Sequence, residues 1–100
     1  MTSHYAEEQN QVTVTLSGSI YVEDAARLRE RLIDYIDKGY NRFLINVAGV
    51  DYIDSSGLGV LVAIHKRAVQ NHGKVIIKGL NGMVKELFEL TRLNKVFELQ

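Results

Sequence analysis

The spacing of apolar positions switches several times along the chain, and each switch marks a change of element. Val12, Val14 and Leu16 alternate with Gln11, Thr13, Thr15 and Ser17, a period of two that predicts a strand with one buried face and an end at Gly18. From Val22 to Lys38 the period becomes helical. Val22, Ala25, Leu28, Leu32, Tyr35 and Ile36 share one stripe, with Arg27, Glu30, Arg31, Asp34 and Asp37 opposite and Gly39 placed to cap the C-terminus. Arg42 to Val50 is an apolar run without a helical stripe, which predicts a strand buried on both faces. Leu58, Leu61, Val62, Ala68 and Val69 restore the helical spacing over Gly57 to His72, ending at Gly73. Lys74 to Leu80 reads as another strand, Asn81-Gly82 as a turn or cap, and Val84, Leu87, Phe88 and Leu90 as a third helix. Val96, Phe97 and Leu99 either form a last short strand or dock the tail.

Strand and helix alternate three times, the order of a sheet with parallel crossovers, and antiparallel β structure is expected ahead of it. The expectation is an α/β fold, one domain over residues 1–100. It has a mixed sheet of about four to five strands and helices mainly on one face, since three amphipathic helices cover both faces poorly.

Composition narrows the function classes. Lys plus Arg and Asp plus Glu both number 12, so no overall field draws the chain to nucleic acid or an anionic membrane. The absence of cysteine removes disulfides and thiolate chemistry. MTSHYAEEQNQ has acidic residues and no apolar stretch, unlike a secretory signal, and no run approaches the roughly 18 apolar residues of a membrane span. A cytoplasmic protein with a protein or small-molecule partner is expected.

Chemistry concentrates in Asp54 to Val62, DSSGLGVLV, where a buried strand gives way to a helix. Strand ends of this kind collect functional loops in α/β sheets. A helix start leaves N–H groups unpaired, so Ser55 or Ser56 is readily explained as an N-cap. A cap uses one hydroxyl, however, and two are present behind a carboxylate. A helix N-terminus also suits a phosphate, so a serine here could accept a phosphoryl group without unfolding the domain.

Enzyme motifs fit poorly. A serine hydrolase elbow needs glycine two residues before the nucleophile, where Ile53 and Asp54 stand, and His65 lies about 15 Å along the same helix. Gly57 and Gly59 lack the third glycine of a dinucleotide loop, because Val62 occupies it, and no GK[ST] follows any glycine. His4, His65 and His72 have no ligand-like spacing and are expected to be solvated, so no cofactor or metal is expected.

IDSSGLGVLV, with FLINVAGV before it and KVIIKGL and VKELFELTRLNKVFEL after it, resembles the STAS domain of bacterial anti-sigma factor antagonists. The likeness runs from about Val12 to Leu99. It implies a partner-switching protein with no enzymatic activity of its own. The unmodified form binds an anti-sigma factor that is also a GHKL-type serine kinase, ATP-dependent phosphorylation ends the contact, and a PP2C-type phosphatase restores it. Carried over, the phosphoacceptor is Ser55, with Asp54 its acidic neighbour. Ser56, Gly57, Leu58 and Gly59 shape the helix start, and Tyr21, Glu23 and Asp24 belong to the partner surface after Gly18. Many members carry an acidic-apolar-Asp sequence after that glycine, where this chain has Ser19-Ile20-Tyr21. Two other readings stay open: a scaffold or transporter-accessory STAS domain with an unmodified loop, and a nucleotide-binding STAS domain.

Overall fold

The computed structural model describes all 100 residues. In chain order the elements are β1 (Thr2–Glu8), β2 (Gln11–Ile20), α1 (Val22–Asp37), β3 (Arg42–Ile53), α2 (Ser55–Gln70), β4 (Lys74–Lys78), α3 (Gly82–Leu90), a 3-10 turn (Leu93–Lys95) and β5 (Glu98–Leu99). The five strands lie in one sheet in the order β1-β2-β3-β4-β5; β1 is antiparallel to β2 and every later pair is parallel.

Strand alternation sends Val12, Val14 and Leu16 of β2, Phe43, Ile45 and Val47 of β3, and Val75 and Ile77 of β4 to one face. There they form a single core with Leu28 and Leu32 of α1, Leu61 and Ile64 of α2, and Val84 and Phe88 of α3. The opposite face carries Thr13, Leu44, Asn46 and Lys74, all half-buried, and no helix covers it. The expected single helical layer is therefore present, whereas the expected burial of Arg42 to Val50 on both faces is not: its buried residues alternate.

Several boundaries differ from the sequence reading. β2 does not stop at Gly18 but runs on to Ile20, because its ladder with β3 continues through two register shifts, at Thr15/Ser17 and Gly18/Ser19. β3 likewise continues to Ile53. α1 ends as expected: Gly39 adopts φ 100°, its N–H donates to the Ile36 carbonyl at 2.9 Å, and the Tyr40 N–H donates to Tyr35 at 3.0 Å. At element ends the apolar stripes overreach, since Val22, Val69 and Leu90 are exposed. The tail does both things expected of it: Phe97 is buried against Phe88, with ring centroids 5.9 Å apart, and Glu98–Leu99 pairs with β4.

Candidate functional site

The C-terminal ends of β2 and β3 meet the starts of α1 and α2 at one corner. Ile20 pairs in register with Ile53, and the Asp54 N–H donates to the Ile20 carbonyl at 3.2 Å, fixing the start of α2 to the end of β2. Asp54 is the N-cap. Its Oδ1 accepts the Gly57 N–H at 3.2 Å and its carbonyl accepts the Leu58 N–H at 3.1 Å. Neither serine is the cap; a carboxylate one residue earlier performs that role, and it also complements the helix dipole.

This places Ser55 and Ser56 at the first two helical positions, where backbone N–H groups have no partner within the helix. Ser55 is exposed and its hydroxyl makes no hydrogen bond to the protein, while Ser56 is half-buried. Gly57 and Leu58 turn inward. A Cβ on Gly57 would lie 2.6 Å from Ile53 Cγ1 and 3.2 Å from Ile20 Cγ2, so only glycine lets α2 sit this close to the strand ends. Gly59 is exposed on the next turn.

The other flank is built by Asp24. This buried carboxylate accepts the Tyr21 N–H at 3.0 Å through Oδ2 and the Arg27 guanidinium at 3.0 Å through Oδ1, with the Met1 amino group 3.6 Å away. The Tyr21 hydrogen bond, with Arg27 and the amino group adding to it, holds the Asp24 carboxyl below the usual carboxylate range. Asp24 thus supports Tyr21 from beneath, with both carboxylate oxygens engaged within the domain, whereas Glu23 is exposed and makes no ion pair. Tyr21, 52% exposed, packs on Tyr52 with ring centroids 5.5 Å apart, making an apolar ledge at the Ser55 corner. Tyr52 was not among the residues singled out from sequence. Its signal was its place two residues ahead of Asp54 on a strand that had to reach the motif.

The described histidines form no site. No group of three or more His, Cys, Asp or Glu residues could hold a metal ion. His65 is not solvated as expected: its Nδ1 is buried without a partner, its ring stands edge-on to Phe97 at 5.1 Å, and burial lowers its pKa. No helix is long and apolar enough to cross a membrane.

The STAS domain model matches residues 4–100. The anti-sigma-B factor antagonist of Bacillus subtilis (strain 168) is 30% identical over 93 residues, covering 93% of this chain and 84% of that protein. The unphosphorylated form of the anti-sigma factor antagonist SpoIIAA superposes with a TM-score of 0.89 at 17% identity, over 99% of this chain and 88% of that one. The phosphorylated form of the Bacillus cell fate determinant SpoIIAA gives 0.82 at 16% identity, over 99% and 91%. On the family match and the full-length likeness, this chain belongs to the STAS domain family.

Proposed function

We propose that this protein is a cytoplasmic anti-sigma factor antagonist whose capture of its partner is switched off by phosphate on Ser55. The observation that carries the reading is the division of labour at the α2 start: Asp54 caps the helix, so the exposed Ser55 hydroxyl is left without a structural task. The unmodified corner, with Ser55, the Tyr21–Tyr52 ledge, Glu23 and the exposed side of α2 around Gly59, receives a GHKL-type anti-sigma factor. That partner, acting as a serine kinase with ATP, transfers phosphate to the hydroxyl, and a PP2C-type phosphatase removes it. The domain itself is the substrate and carries no catalysis.

Phosphate adds about −1.5 to −2 charge beside Asp54. The free N–H groups of the first turn offset part of that charge within the domain, so the fold persists. An interface closed over a neutral hydroxyl has no such compensation. Burying an unpaired dianion there costs several kcal/mol, and about 3 kcal/mol already corresponds to a more than 100-fold rise in Kd.

The test is to incubate the protein with its cognate anti-sigma kinase and ATP, map the modified residue, and titrate variants against the same partner. Ser55→Ala is expected to bind and to resist phosphorylation, and Ser55→Asp to lose binding by the factor given. Phosphate appearing on Ser55→Ala would overturn the site. Undiminished binding by Ser55→Asp would overturn the switch and leave a permanently docked scaffold.

A further inference from the structure

β1 is an open edge. It has seven residues, six of them exposed, and pairs with β2 in an unbroken register from Thr2↔Ser17 to Glu8↔Gln11. Of the devices that blunt an edge β1 has only charge, Glu7 on the helical side and Glu8 on the other; it has no bulge, the chain has no proline, and no element lies outside the strand. The two-residue loop Gln9–Asn10 makes Glu8 and Gln11 a hydrogen-bonded pair. Counting back by twos, Ala6 and His4 also direct their backbone groups to β2. Ser3, Tyr5 and Glu7 therefore direct theirs outward, unpaired.

The outward edge is self-complementary. We propose that a second copy of this chain pairs with it, β1 antiparallel to β1 about a two-fold axis at Tyr5. In that register Tyr5 faces Tyr5 and Ser3 faces Glu7 in hydrogen-bonded pairs, using all six outward groups of both copies. His4 faces Ala6 and Thr2 faces Glu8, so no like charges oppose each other. Shifting the register two residues so that Glu7 becomes the centre would place Glu7 against Glu7.

A second feature fixes the same register. Ser3, Tyr5 and Glu7 pair with Leu16, Val14 and Val12 and so lie on the helical side of the sheet. There β1 and α1 flank a groove of about 610 Å3 whose lining includes Ser3, Tyr5, Arg27, Glu30, Arg31 and Asp34. Arg31 lies over the Tyr5 ring at 4.1 Å and has no carboxylate within ion-pair distance. Pairing Ser3 with Glu7 of the other copy brings that carboxylate to the mouth of the groove, where Arg31 is the unpaired cation. The two sheets join into one of twice five strands with all helices on one side, and the Ser55 corners point to opposite ends. A single strand pair with one groove contact per copy lies near or below about 1,200 Å2 of buried surface, so the dimer forms reversibly with concentration.

Sedimentation equilibrium between about 10 μM and about 1 mM, the range in which an interface of this size is populated, provides the test. The wild type is expected to double in mass across the range, and its Tyr5 and Glu7 amide resonances to move with concentration. Ser3→Pro removes an outward N–H without touching the β1–β2 ladder and is expected to remain monomeric with unchanged circular dichroism. Glu7→Arg and Arg31→Glu are each expected to weaken the dimer, and the double variant to restore it. A wild type that stays monomeric at the highest concentration would overturn the proposal. So would concentration-dependent shifts confined to the Tyr21–Tyr52 ledge, or a folded Ser3→Pro variant that still dimerises.

Discussion

Gly57 shows how little room the Ser55 corner has. With Ile53 Cγ1 2.6 Å and Cδ1 2.9 Å from the place a Cβ would occupy, Gly57→Ala forces two buried isoleucines or the helix start to move. Overpacking of this kind costs about 1–3 kcal/mol. A domain of this size should then lose about 4–8 °C of Tm per kcal/mol, readable by thermal unfolding. An unchanged Tm would mean that α2 does not need this close approach. The importance of this position was legible from sequence as a glycine behind two hydroxyls, but its cause was not. Most of the crowding comes from Ile53 at the end of β3 and the rest from Ile20, more than thirty residues away, and no local pattern reports how closely the helix start folds back on these strand ends. The cap was misplaced for a related reason: aspartate and serine are near-equal N-caps, so the choice between Asp54 and the serines depends on where β3 ends.

At the scale of elements, the helices were legible because their apolar stripes persist over several turns, and α1 additionally because Gly39 marks its end. The reach of β2 and β3 was not, since Gly18 looks like a stop and serves instead within an irregular ladder, where Ser17 pairs with Gly49 and Gly18 with Val50. Helix periodicity does not reveal that Arg27 and the Tyr21 N–H converge on Asp24. Its role gives α1 a pH dependence. Its folded pKa is depressed, so its contribution to stability is present above the unfolded carboxyl value and is lost as pH falls below about 4 and through the folded value. Asp24→Asn is expected to lower stability at neutral pH and to flatten the acid limb of a chemical-denaturation series. An acid limb of wild-type steepness would show that other carboxylates set it.

Across the whole molecule, the two ends of the sheet differ in what holds them. At the far side from β1, the tail is anchored by Phe97 between Phe88 and His65. The buried Nδ1 of His65 has no acceptor for a second proton, and burial lowers its pKa below that of the unfolded chain. As pH drops from about 7 toward 5, the unfolded chain takes up a proton that the folded one resists, so stability falls with acidification. His65→Leu should remove that slope, as measured by denaturant midpoints across the same range. A slope that survives would place its origin in other titrating groups.

The hydrogen bond from the Asp54 N–H to the Ile20 carbonyl ties the start of α2 to the end of β2, and that connection bears on time as well as position. On the proposed function, adding or removing phosphate at Ser55 asks no buried group to move. No slow relaxation then separates the chemical event from its effect. The lifetime of the modified form is then the lifetime of one phosphate ester, that of the unmodified form is the wait for the ester to be made, and the enzymes that make and break that bond hold the clock of the response.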